Sequence, residues 1–84
     1  MLNDTRAGIS RLLLKHPDWG ERLERAVAAD EIMVALCADY AAAWRGLEYW
    51  HGSGGPKRAQ RLADYHNGLV ALEVAITDRL EQIR

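Results

Sequence analysis

Apolar residues recur at steps of three and four over two long stretches of this chain. The first carries Met33, Leu36, Tyr40, Ala43, Leu47 and Trp50; the second carries Leu62, Tyr65, Leu69, Leu72, Ile76, Leu80 and Ile83. Within the second, Leu62, Leu69, Ile76 and Ile83 stand one heptad apart. Such spacing keeps apolar side chains on one side of an α-helix and predicts a seam of the coiled-coil kind. Between the stretches, His51-Gly52-Ser53-Gly54-Gly55-Pro56 cannot continue a helix, because glycine costs backbone entropy and proline lacks an N–H. The pattern predicts a long antiparallel helical hairpin, with helices over residues 31–50 and 56–83 and a Gly-rich turn at 51–55.

The preceding residues read as two shorter helices. Residues 4–15 place Leu2, Ile9, Leu12 and Leu13 on one side, with Asn3 or Asp4 as N-cap. Pro17 then disfavours helical geometry at His16. Asp18-Trp19-Gly20-Glu21 has the form of a capping box, opening a helix over residues 18–29 with Trp19, Leu23, Ala26 and Val27 as its apolar stripe. Asp30-Glu31 reads either as the cap of a fresh helix or as part of a continuous one, since no strong breaker stands between Gly20 and Gly46. At the turn, Gly52 suits a left-handed position after the helix end, and Pro56 suits the first residue of the next helix. Gly68, in the middle of a helix, is expected to mark close helix packing, since it costs about 1 kcal/mol relative to alanine there. No run alternates with period two, so the fold class is all-α.

The third helix has a second apolar stripe, Val34, Cys37, Ala41 and Trp44, and the fourth has apolar positions at Ala63, Val70 and Val74 off its main seam. One stripe of each serves the hairpin; the others need cover from the N-terminal helices or from another chain. The expectation is a homodimer in which two hairpins form a four-helix bundle.

Composition narrows the function classes. Eighty-four residues make one domain, residues 1–84, with a thin core. Eleven basic and twelve acidic side chains leave a net charge of −1, which argues against nucleic-acid binding through bulk charge. Cys37 is the one cysteine, so no internal disulfide forms, and the zinc-finger spacings are absent. There is no charged segment followed by an apolar run at the start, and no apolar stretch approaches the roughly 20 residues of a membrane span. These features point to a soluble cytoplasmic protein.

Lys57, Arg58 and Arg61 cluster at the start of the fourth helix. Positive charge there opposes the helix dipole by about 0.3–1 kcal/mol per group, so removing all three is expected to leave stability equal or slightly higher. Beside exposed N–H groups and glycines they suit a phosphate or a carboxylate-rich partner, although the P-loop order is missing. Trp44, Arg45, Tyr49 and Trp50 have the composition of a protein interface, where aromatics and Arg are enriched. His16, His51 and His66 lack i, i+4 pairing, so neither a metal nor a cofactor is expected. Cys37 reads as a small buried hydrophobe. Asp39, between the two stripes, is expected to be partly buried beside Tyr40 and to pair with Arg61 or His66. No arrangement of nucleophile and base supports catalysis, so the chain is not expected to be an enzyme.

Leu36-Cys37-Ala38-Asp39-Tyr40, then Leu47-Glu48-Tyr49-Trp50, Arg61, Tyr65, Leu69, Leu72-Glu73 and Ile76, resembles a group of small uncharacterised bacterial helical-hairpin proteins. The resemblance spans residues 30–77 and rests on a Leu-Cys-x-Asp-Tyr helix ending in Leu-Glu-x-Trp. It implies the hairpin fold and no particular chemistry. The expected function is a non-enzymatic protein–protein interaction module: Trp44, Arg45, Tyr49 and Trp50 meet an unknown protein partner, and Lys57, Arg58 and Arg61 supply charge. The alternative is a small regulator that binds an anion or nucleic acid through the basic turn.

Overall fold

The computed structural model describes residues 2–82, with side chains from Asp4 onward. The expected seam residue Ile83 and the side chains of Leu2 and Asn3 lie outside the described residues. Within them the chain forms α1 (Leu2–Lys15), a single 3₁₀ turn (Pro17–Trp19), α2 (Gly20–Ala29), α3 (Glu31–His51) and α4 (Arg58–Gln82), and no strand.

The seam positions are largely the core. Met33, Tyr40 and Leu47 of α3 meet Leu69, Ile76 and Leu80 of α4, all buried, with Leu36, Ala43, Leu62, Tyr65 and Leu72 packed against them. Contacts between the two helices run in opposite senses. From the turn outward, Trp50 lies near Arg61, Gly46 near Tyr65, Tyr40 near Glu73 and Asp30 near Arg79. At 1.5 Å per residue α4 spans about 37 Å, which accounts for most of the 45 Å long dimension of the molecule.

The other stripe of α3 is covered by α1. Thr5 Oγ1 donates to the Val34 carbonyl at 3.3 Å, and Gly8 lies directly against the backbone of Cys37. Ile9 and Leu12 of α1, Trp19, and Leu23 and Ala26 of α2 complete one continuous core. Burial pushes the Cys37 thiol up to about 11, so it is a protonated, inert core residue. Surface pairs such as Arg6–Glu24 and Arg11–Glu48 decorate this assembly and add little, because exposed ion pairs are screened by water.

Several local expectations give way. Asp4 falls inside the first turn of α1, and its carboxylate meets Arg45 at 3.3 Å. The capping box does not form. Asp18 belongs to the 3₁₀ turn, and α2 begins at Gly20 with no side-chain cap. There Trp19 is buried and stacks face to face on His16, with ring centroids 3.8 Å apart. Burial of a large aromatic outweighs one cap. Gly52 is right-handed (φ −84°, ψ −4°), its N–H simply continuing the ladder to the Glu48 carbonyl at 3.3 Å. Pro56 precedes α4 by two residues, inside a turn closed by the Arg58 N–H on the Gly55 carbonyl at 3.1 Å. A Cβ on Gly68 would meet nothing within 4 Å, so that glycine is not a packing site; Gly8 and Gly46 are.

The junction between α2 and α3 is built on Asp30. Its backbone is extended (φ −137°, ψ 110°), and Oδ1 accepts the Ile32 N–H at 3.1 Å as an N-cap. Arg79, in the last turn of α4, grips the same carboxylate with two bonds, Nε to Oδ2 at 2.5 Å and a terminal nitrogen to Oδ1 at 3.1 Å. The Arg79 bond holds the Asp30 carboxyl below its usual range, with the Ile32 N–H adding to it against partial desolvation. A carboxyl depressed by folding stabilises the protein above its unfolded pKa, and that contribution is lost as pH falls through the lower folded value. Asp30→Asn is therefore expected to melt below the wild type at pH 7, the gap closing as both are acidified below pH ~3. Thermal melts across that range check this; a gap independent of pH would mean that the charge is not what matters.

Candidate functional site

The turn end of the α3–α4 pair gathers several of the expected residues. Tyr49 is 70% exposed. Its ring stands edge-on to that of Trp50, centroids 5.4 Å apart at 90°. On the other side of the turn, the Arg61 guanidinium lies 6.0 Å from the centre of the Trp50 ring, at the outer reach of a cation–π contact. Arg58 donates to the His51 carbonyl at 3.3 Å. Its charge therefore sits at the C-terminus of α3 as much as at the N-terminus of α4, and the α3 dipole favours it there. That placement removes the dipole reason to expect a gain in stability from replacing Arg58 itself. Lys57 is exposed at the same turn.

Trp44 and Arg45 sit elsewhere. Trp44 is half-buried, with the Arg11 guanidinium 4.6 Å from its ring centre and the Tyr40 ring edge-on at 6.5 Å. Its indole Nε1 is buried and without a hydrogen-bond partner. Arg45 is turned toward α1, where it meets Asp4. The expected interface thus divides into a pair at the turn, the exposed Tyr49 and the half-buried Trp50, and two residues that engage α1.

Asp39 is exposed; the carboxylate beside Tyr40 is Glu73 instead. The Tyr40 hydroxyl donates to Glu73 Oε1 at 2.7 Å, and Lys15 Nζ reaches both carboxylate oxygens at 3.0 and 3.1 Å. Burial pushes the Tyr40 hydroxyl up to about 12; the nearby Trp44 indole opposes part of the rise and Glu73 adds to it. For Glu73, burial acts upward, yet the Tyr40 hydroxyl and the Lys15 ammonium together outweigh it and hold the carboxyl below its usual range. An ionised Glu73 with a protonated Tyr40 is a structural bridge between α1, α3 and α4.

Around this bridge run two adjoining grooves. One, about 230 Å³, is lined by Tyr40, Trp44, Leu47, His66, Val70 and Glu73 among others. The other, about 420 Å³, shares Lys15, Val70 and Glu73 with it and adds His16, Val74 and Asp78. Sequence reading missed them, although Glu73 carried a signal: a carboxylate among the seam residues Leu69, Leu72 and Ile76 must find a partner. Among the described residues, His, Cys, Asp and Glu do not gather in threes that would hold a metal ion. No helix there is long and apolar enough to cross a membrane. Set against models of known families, curated proteins and solved structures, the chain has no match in any of the three comparisons.

Proposed function

We propose that this chain is a non-enzymatic protein–protein interaction module. In this reading α3 and α4 form a helical hairpin buttressed by α1 and α2, two copies pair as a homodimer, and the turn end meets a protein partner. The observation that carries it is the exposed Tyr49 standing edge-on to Trp50 beside Arg61. Aromatics and arginine are the side chains most often found at binding hot spots, and an exposed tyrosine braced by a neighbour needs little ordering on contact. The anion-binding alternative is weakened by Arg58 and Arg61, which are engaged with the His51 carbonyl and the Trp50 ring.

The test replaces Tyr49 with a photo-crosslinking phenylalanine in cells of the native host, with Gln60 replaced in a control. A discrete protein adduct at position 49 only, reduced roughly tenfold or more by Trp50→Ala, is expected of a hot spot. An adduct that nuclease removes, and that fades steeply with salt, would transfer the site to the anion-binding reading. Equal labelling at both positions would remove the turn as a docking surface.

A further inference from the structure

α4 carries a ridge that its own chain leaves open. His66, Val70, Val74 and Asp78 follow one another at four-residue steps, one of the two natural ridge directions of an α-helix. Val70 is 47% and Val74 56% exposed, while Leu69 and Ile76 beside them are buried against α3. The ridge forms the α4 wall of the two grooves, with His66 and Val70 lining one and Val70, Val74 and Asp78 the other. α1 and α2 have been used to cover the second stripe of α3, and on α4, among the described residues, the exposed large apolar positions lie here.

The order of this ridge is imidazole, apolar, apolar, carboxylate. A two-fold axis midway between Val70 and Val74 maps the ridge onto an antiparallel copy of itself. It sets Val70 of one copy against Val74 of the other, and His66 of one against Asp78 of the other. Both apolar contacts and both imidazole–carboxylate pairings, N–H donor against oxygen acceptor, are then satisfied at once, the self-complementarity that an isologous interface demands. We infer that two copies of this chain pair through α4, ridge against ridge in antiparallel sense, about that axis. This rests on the homodimer within the function proposed above, and it names the face.

Sedimentation equilibrium of the full chain tests it, with circular dichroism to confirm that each variant keeps its helices. The wild type is expected at twice the 9.4 kDa chain mass. V70D/V74D, at exposed positions, is expected to be a folded monomer. D78K removes the carboxylate facing His66 at each end of the ridge, sets an ammonium against the imidazole instead, and is expected to weaken the dimer roughly tenfold or more. H66D/D78K restores a donor facing a carboxylate with the two positions exchanged and is expected to recover most of that loss, which a merely structural role for Asp78 would not produce. A dimer that persists in V70D/V74D would overturn this face and leave the homodimer standing. A wild type that stays monomeric would overturn both.

Discussion

Replacing Gly8 with valine is expected to lower the stability of this protein by roughly 3 kcal/mol or more, the upper end of the cost of overpacking. A Cβ there would land on the Cys37 carbonyl oxygen and lie 2.7 Å from its carbon and 3.2 Å from the Cys37 Cα. These are backbone atoms in the middle of α3, so nothing can swing aside. α1 must lift away, taking Ile9 and Leu12 out of the core. For a chain of this length the whole stability is on the order of 4–13 kcal/mol, so one side chain removes a large fraction of it. Helix propensity alone predicts the reverse, a gain of about 1 kcal/mol from Gly to Ala, and Gly68 provides the comparison. Gly68→Ala, with open space around the new methyl, is expected to gain about 0.5–1 kcal/mol. Gly8→Ala is expected to lose stability despite that gain. At Gly46 the obstacle is the Tyr65 ring, a side chain that can turn, so the loss there is smaller. Urea unfolding of the four variants ranks them; a Gly8→Val protein as stable as the wild type would show that α1 does not rest on the α3 backbone.

Leu69→Asp is expected to leave the chain unfolded. Leu69 is 5% exposed and belongs to the core that joins α4 to α3. Truncating a buried leucine costs about 2–5 kcal/mol, and stranding a carboxylate in its place costs several more unless a cation answers it. Lys15 lines the same groove but is committed to Glu73. The two penalties together rival the total stability. Leu69→Ala, carrying only the first, should remain folded with a lowered midpoint. Unchanged helicity and melting in Leu69→Asp would mean that α4 turns a different face to α3.

What the sequence made legible was whatever depends on spacing along one helix. Met33, Tyr40 and Leu47, and Leu69, Ile76 and Leu80, are buried because a three-four repeat puts them on one side before any partner is known. The neighbours Tyr49 and Trp50 come together for the same local reason. What stayed hidden depends on which residue of one helix faces which residue of another. Glu73 reaches Tyr40 across 33 positions and Lys15 across 58, and nothing in the spacing of either helix sets those pairings. Glycine illustrates the limit most sharply. Gly8 and Gly68 look alike in a helical pattern, yet one is pressed against a carbonyl and the other faces open space. At Asp18, a correct local signal for a cap lost to the burial of Trp19 on His16.

The carboxylate of Asp30 has a consequence for how the ends of the long helices come apart. Helix termini ordinarily fray independently, each by a fast and shallow opening of its own last turn. Here the first turn of α3 and the last turn of α4 hang on the same two oxygen atoms. Withdrawing that group releases the Ile32 N–H and the Arg79 guanidinium together, so opening at one end is felt at once by the other. Segments 49 positions apart in the chain thereby share one opening event, and amide exchange at Ile32 and in the turn carrying Arg79 becomes a single correlated process.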